Sequence, residues 1–547
     1  MFFPIQLDKY GKGGAAVLKS ILMSINRAMR SFALTDIDFI NPTHSINPSA
    51  YNFYSLFLMV ICFVCPFLSL GYILSLFSKV RASTKLALSY GKDVYVFSQL
   101  NEESITFASD ISQNHPKAGI IFCDVIDSSG GESNPFSDRA EQLNATCLNK
   151  PITAVNFKLH SKKRRVYFFC ISDNEQANTN DALELIGKYK NLRHTRLYFF
   201  STLLESQLVL ANCDSGYIRV RRVDKARTFI NRFLYDNGQM LFEHAAPPEK
   251  GESEKRISVL ILGLGKCGGE MLKALSWYSQ MDGYRLSIDA VDISPFAEDK
   301  LRAECPELLD SEHNGVRAAG EAEYYISFHS GVDFRSTEFE RIVSGLPETT
   351  FAFVALGKDS DNIEACVKLR GIFERAKARP DICAVLRNSD KKQAVMGVRN
   401  FKGQEYNIDS IGDIPSVFTE KEIIHSEIEE EALKLHLEWG VEEVFWRYEY
   451  NHRASIARAI HRRARIACGQ LNPDVPYDRQ TPEEREKSGI LEHKRWNAFT
   501  RAAGYRYSGS TDKSSRNDLG LIHNDLVSYN LLSGRTKKKD RDISVNK

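Results

Sequence analysis

The chain has no excess of charge of either sign. Its 72 Lys and Arg side chains meet 70 Asp and Glu, a net charge of +2. Such balance supplies no overall attraction to a phosphate backbone, so no nucleic-acid partner is expected. Metal-ligand spacing is also missing. The 11 cysteines are scattered, apart from Cys62 and Cys65. That CxxC lies in an apolar run without a second ligand pair, which reads as packing and not as a zinc or redox site. The other cysteines fall in strand- or helix-like runs, which suits a reducing compartment.

Charge itself is absent from one long stretch. Ser45–Ser78 holds no Asp, Glu, Lys or Arg, and within it Phe53–Phe77 reads FYSLFLMVICFVCPFLSLGYILSLF. A bilayer takes about 20 apolar residues, so a transmembrane helix is predicted over 53–78. It is too long and too far from the N-terminus for a signal peptide. Lys79, Arg81, Lys85 and Lys92 follow at once. The positive-inside rule then puts the bulk of the chain in the cytoplasm of a single-pass protein. Residues 14–34 differ: Val17, Leu18, Ile21, Leu22, Ile25 and Met29 share one helical face, with Lys19, Arg27 and Arg30 elsewhere. That is an amphipathic helix, lying on the membrane or packed on the spanning segment. One span cannot enclose a pore, so conduction requires several copies, and a homo-oligomer in a lipid bilayer is expected.

At 547 residues the chain has room for about three or four domains. Residues 1–82 form the membrane region. Over 83–244, strands are predicted at Asp93–Ser98, Ala118–Val125, Arg165–Ile171 and Arg196–Ser201, alternating with helices. That alternation argues a parallel α/β sheet. Where a glycine-rich turn would stand, this unit has Ser98-Gln99-Leu100-Asn101. A polar, Pro- and Gly-rich linker covers 245–256. A second unit of the same kind, 257–440, has strands at Ile257–Leu262, Leu286–Val291, Glu323–Phe328, Thr350–Leu356 and Ile382–Leu386. Its first strand leads into Gly263, Gly265 and Gly268, a G-x-G-x-x-G turn before a helix. The first glycine permits the turn, the second admits a pyrophosphate, and the third lets helix and strand approach. Asp292 ends the next strand about 24 residues on, where such folds place an acid for a ribose hydroxyl. Gly263, Gly265, Gly268 and Asp292 are therefore the candidate cofactor site, for NAD(H) or another adenine nucleotide. A partial repeat links the halves: FFCISDNEQANTNDALELI at Phe168–Ile186 parallels FVALGKDSDNIEACVKL at Phe353–Leu369.

On these features both units resemble the Rossmann-type RCK (Trk N-terminal-like) domains that hang from potassium channels and transporters. The resemblance implies two tandem parallel-sheet domains with nucleotides or ions as ligands. An oxidoreductase reading needs a proton donor beside the nicotinamide. Lys358, Asp359 and Asp361 stand after a late strand, but no His/Asp or Tyr/Lys constellation accompanies them. A Rossmann pattern alone does not make an enzyme, and no catalytic residue is assigned.

Residues 441–547 are predicted mostly helical. Glu442–Cys468 reads as one helix, in which Arg453 and His461 share a face. Thr481 suits the N-cap of the next helix, whose first turn is acidic. LEHKRWNAFTRAAGYRYSG at Leu491–Gly509, HNDLVSYNLL at His523–Leu532 and KKKDRD at Lys537–Asp542 follow. This set is similar to the ryanodine receptor repeat (RyR) domain in its bacterial form, with Asn524 and Ser528 in place of two prolines. As a pocket, Trp496, Tyr505 and Tyr507 offer flat faces for a base, while Arg453, Arg495 and His493 offer donors for phosphate or ribose. With His461 and His523 they form the candidate ligand set. The competing reading makes Trp496 and Tyr505 the core of a small domain. The resemblance implies a sensor in a bacterial inner membrane. It would recognise a nucleotide-derived small molecule and control ion flux or membrane disruption in antiphage defence. The alternatives are an RCK-type nucleotide-sensing regulator of potassium transport and an NAD-dependent oxidoreductase.

Overall fold

Aromatic and β-branched runs of four or five residues become strands buried on both faces. The computed structural model describes residues 14–32, 92–125, 134–157, 164–203, 205–206, 214–310, 313 and 323–544. They fall into two compact units, Met1–Tyr90 and Gly91–Lys547. In the first, helix α1 (Gly14–Phe32) leaves Leu18, Ile21 and Leu22 of its apolar face exposed. Among the described residues no helix is long and apolar enough to cross a membrane. The predicted span over 53–78 lies outside the described residues.

The second unit holds two six-stranded parallel sheets. The first comprises β1 (Val94–Phe97), β2 (Gly119–Phe122), β3 (Thr146–Cys147), β4 (Val166–Cys170), β5 (Thr195–Phe200) and β6 (Arg219–Val223) in the order β3-β2-β1-β4-β5-β6. The second comprises β7 (Lys255–Leu262), β8 (Tyr284–Asp292), β9 (Tyr324–Ser330), β10 (Phe351–Val354), β11 (Asp381–Val385) and β12 (Ile408–Ile411) in the order β12-β11-β10-β7-β8-β9. Counted from each sheet's own first strand, both orders are 3-2-1-4-5-6, the doubly wound Rossmann arrangement with a switch point beside the first strand. Stacked rings run across the first sheet, with Tyr95 4.6 Å from Tyr167 and Phe97 4.9 Å from Phe169. Strands β3, β6 and β12 were not expected from the sequence. β3 has two residues, and β6 (RVRRV) is an edge strand whose arginines reach acids outside the sheet.

Each sheet has one face completed by a segment from the other half of the chain. Helix α2 (Glu102–Asn114) follows β1, and α3 (Glu175–Tyr189) follows β4. Helix α4 (Lys225–Asn237), which follows β6, crosses to the second sheet. Its Ile230, Phe233 and Leu234 pack with Ile257, Met271 and Phe351. In return, Ile414, Val417, Phe418, Ile423 and Ile424, which follow β12, join the core of the first sheet, where Phe418 stacks on Phe200 at 5.6 Å. The two Rossmann domains thus exchange segments.

Helix α5 (Lys266–Tyr278) follows the glycine turn, and α6 (Asp359–Arg375) follows β10. Helices α7 (Glu427–Leu437), α8 (Glu449–Ala467) and α9 (Pro482–Ala502) complete the far side of the second domain. Phe445, Ile460, Ala498 and Phe499 share one core with Met271 and Leu275 of α5. The single helix expected over Glu442–Cys468 is broken at Tyr448, whose extended ψ of 109° separates Glu442–Arg447 from α8. Thr481 caps α9 in a reciprocal capping box with Glu484. The short pair β13 (Arg506–Tyr507) and β14 (Ile522–His523) and helix α10 (Gly534–Ser544) end the described chain.

Candidate ligand-binding cleft

The three glycines of the turn have three different surroundings. Gly263 has a φ of +89°, and a Cβ there would lie 2.5 Å from the Ala355 carbonyl oxygen. Gly268 brings α5 against the turn so closely that a Cβ would lie 1.8 Å from the Gly263 carbonyl oxygen. Gly265 N-caps α5 with an ordinary φ of −64°, and a Cβ there would meet nothing within 4 Å. The first and third glycines therefore serve the fold, and the second faces open space. From Lys266 onward the first N–H groups of α5 lack intrahelical acceptors, which leaves a local positive potential.

Asp292 stands at the end of β8, beside this turn. Its Oδ2 accepts from the Leu264 N–H at 2.6 Å and its Oδ1 from the Ser294 N–H at 2.7 Å. Two of a carboxylate's roughly four acceptor positions are thus used in pinning the turn. The others are available to a hydroxyl.

The space beyond Gly265 is a cleft of about 580 Å³ between the two Rossmann domains. The carboxyl ends of both sheets open into it. One wall comes from the second domain through Gly263, Gly265, Asp292, Gly357 and Arg387. The opposite wall comes from the first domain through Ser172, Asp173, Glu175 and Thr202. The exchanged segments add Phe229, Ile414, Val417 and Phe418 as an apolar floor. Two ion pairs span the cleft, and in the outer one Lys266 Nζ lies 2.8 Å from Glu175 Oε1. Burial would raise the Glu175 carboxyl, but Lys266 and the Thr202 N–H and hydroxyl outweigh it and hold the pKa below the ordinary value. Deeper in, the buried Glu103 carboxylate binds both Lys225 and Arg387, the latter at 3.0 Å.

Two asparagines that the sequence reading passed over organise both walls. Asn362 Nδ2 donates to the Val385 carbonyl at 2.7 Å, and its Oδ1 accepts from the Leu356 N–H at 2.6 Å. Asn178 plays the same part in the first domain, donating to the Phe200 carbonyl at 2.8 Å and the Ser172 carbonyl at 3.0 Å. Each ties together the ends of two neighbouring strands. The partial repeat contains both residues, and that was the available signal. The domains differ at the helix after their first strand. In the first domain Asn101 and Ser104 close the N-terminus of α2 with a reciprocal capping box. In the second, Gly265 leaves that position open.

The candidate residues of the C-terminal region occupy three separate surroundings. Trp496, half-buried, lies 4.8 Å from the His523 ring and 5.7 Å from the His493 ring, and Tyr505 lies 6.3 Å from His523. His493 is within 2.8 Å of the Val527 carbonyl and 3.0 Å of Asp540. Burial lowers the His523 pKa to about 4, and its Nδ1 accepts from the Asp525 N–H. Tyr507 adjoins this group, packed beside Val527 and Tyr529, with its N–H donated to Glu307. Arg495 and His461 lie elsewhere. Arg495 is closed in a buried two-point pair with Glu492 at 2.7 and 2.9 Å. His461 Nε2 meets the Gln280 carbonyl at 2.8 Å, and burial, with Arg495 and Arg465 nearby, lowers its pKa to about 3. Arg453 lines a smaller cavity against the first domain.

No family model matches the chain, and no curated protein matches it. Among solved structures it is similar to one described as the crystal structure of a GsuK mutant, at 13% identity and a TM-score of 0.35, over 76% of this chain and 90% of that one. The Rossmann assignment rests on the two strand orders and not on this likeness.

Proposed function

We propose that the chain is a ligand-sensing regulator in which an RCK-type pair of Rossmann domains takes an adenine nucleotide, such as NAD(H), in the cleft between them. The observation that carries this reading is the open Gly265 position facing a cleft of about 580 Å³. That volume lies in the ordinary range for small-molecule sites, roughly 300–1,000 Å³. The phosphates would sit at the N-terminus of α5, with Lys266 as counter-charge and Asp292 beside the ribose. The apolar floor of Phe229, Val417 and Phe418 suits a base. Because both domains line the cleft, occupancy would change how firmly they close on one another, the basis for a signal to a membrane output. A homo-oligomer regulating ion transport fits this reading.

A binding role is favoured over dehydrogenation by the engagement of the candidate acids. Asp359 accepts from the Arg387 and Asn388 N–H groups at 3.0 and 3.1 Å, and Asp361 pairs with Arg335 at 3.0 Å. These acids are structural caps and ion-pair partners. A second reading keeps the RyR-like region as the sensor of a nucleotide-derived signal. It draws on one observation, the half-buried Trp496 indole against His493 and His523.

The test is thermal unfolding and calorimetric titration of the full chain with NAD, NADH, ATP and ADP-ribose. At 100 times its Kd a specific ligand adds about 2.7 kcal/mol. Loss of that gain in Gly265→Trp, with Trp496→Ala unaffected, supports the cleft. The reverse pattern moves the ligand to the C-terminal region and overturns the cleft assignment.

A further inference from the structure

The joint between the first sheet's edge, helix α5 and helix α8 forms a second, partly open cavity of about 90 Å³. Arg222 of β6, Arg227 of α4, Glu270 and Lys273 of α5, and Glu449 and Arg453 of α8 line it. Most of these charges are paired. Arg222 Nε lies 2.8 Å from Glu449, and Arg227 lies 3.1 Å from Glu270 and 3.5 Å from Glu449. Lys273 is 2.7 Å from Glu304 and 3.8 Å from Glu270.

Arg453 is the exception. Among the described residues its guanidinium has no hydrogen bond and no ion pair. Its Nε is buried without a partner, and its ring neighbour is Phe499 at 5.9 Å. The acids nearby are already shared among other cations. Burial, and then the neighbouring Arg227, lower the Arg453 pKa to about 10 against the opposing pull of Glu270 and Glu449. Glu270 and Glu449 act on it from a distance, and no acid among the described residues pairs with it directly.

We propose that this cavity binds a compact oxyanion of the phosphate class, held by Arg453 with Arg227 behind it. A guanidinium presents paired N–H groups that match such an anion at two points. The size sets the class. A cavity of about 150 Å³ takes a benzene ring. The present one therefore suits a single tetrahedral ion. The site is separate from the interdomain cleft and does not depend on what the cleft binds.

The test titrates the full chain with inorganic phosphate at constant ionic strength set by chloride, reading the unfolding temperature. The parent should show a saturable rise. Arg453→Met should show none, and in phosphate-free buffer should unfold at or above the parent's temperature, because a partly buried charge without a direct partner is gone. Arg453→Lys keeps the charge but loses the two-point match. It should fold like the parent and need about tenfold more phosphate. Gly265→Trp should keep the parent's response. The proposal is overturned if the parent does not respond, or if Arg453→Lys responds like the parent. It is equally overturned if Arg453→Met keeps the rise or unfolds earlier without phosphate. Loss of the response in Gly265→Trp would assign the phosphate to the glycine turn instead.

Discussion

At the scale of single residues, the glycine turn separates fold from binding. A methyl group at Gly268 would lie 1.8 Å from a carbonyl oxygen, and at Gly263 it would add an unfavourable φ of +89° to a similar clash. Gly263→Ala and Gly268→Ala should each cost at least about 2 kcal/mol in urea unfolding. Gly265→Ala should stay within about 0.5 kcal/mol, because its Cβ meets no atom. Equal losses at all three positions would refute the division. His461 gives a second residue-scale prediction. Its folded pKa is about 3, against an unfolded value near 6.5. Between those values the unfolded chain holds the extra proton. The contribution is therefore fully present above about pH 6.5 and is lost as pH falls towards 3, by up to about 1.4 kcal/mol per unit. His461→Gln should flatten the stability curve between pH 6.5 and 4 by as much as one proton. An unchanged slope would mean that the ring does not titrate as a buried neutral group.

At the scale of elements, the exchange of segments ties the two Rossmann domains together. Phe233 of α4 stacks on Phe351 of the second sheet at 5.8 Å, and Phe418 stacks on Phe200 of the first. Phe233→Ala and Phe418→Ala should each cost about 3–5 kcal/mol. Each should destabilise both sheets together. Hydrogen exchange is the measurement: after either substitution, protection should fall in β4 and β5 as well as in β7 and β10. Loss of protection in only one sheet after either substitution would show that the exchange does not couple them.

At the scale of the whole molecule, two ion pairs bridge the cleft, Arg387 with the buried Glu103 and Lys266 with Glu175, and both members of the second are partly exposed. Such pairs are worth about 0.2–1 kcal/mol. Glu175→Gln releases Lys266 towards a phosphate at Gly265 and removes a competing negative charge from the opposite wall. A phosphate-bearing ligand should then bind up to about fivefold more tightly in a calorimetric titration. An unchanged Kd would place Lys266 outside the site.

The sequence by itself determined the α/β class, the positions of the hydrophobic strands, the glycine turn and the acid at Asp292. These are local signals: an apolar run of four to eight residues, a turn that only glycine allows, and an acid at a strand's end. It left β3, β6 and β12 hidden. Edge strands carry polar residues, and RVRRV has too little apolar surface to be read as a strand. Tertiary structure alone decided which sheet each amphipathic segment covers. The pattern of residues 225–237 states that one face is buried, but not that the face crosses to the other domain. For the same reason half of the candidate cleft was legible. Gly263 and Gly268 announce its wall, because only glycine fits the turn at those two positions. Glu175, Thr202 and Phe418 are ordinary residues, brought to the opposite wall by long-range packing. The C-terminal set shows the converse: its aromatic and basic residues lie close in sequence, yet packing directs Trp496, Arg495 and Arg453 into three different surroundings.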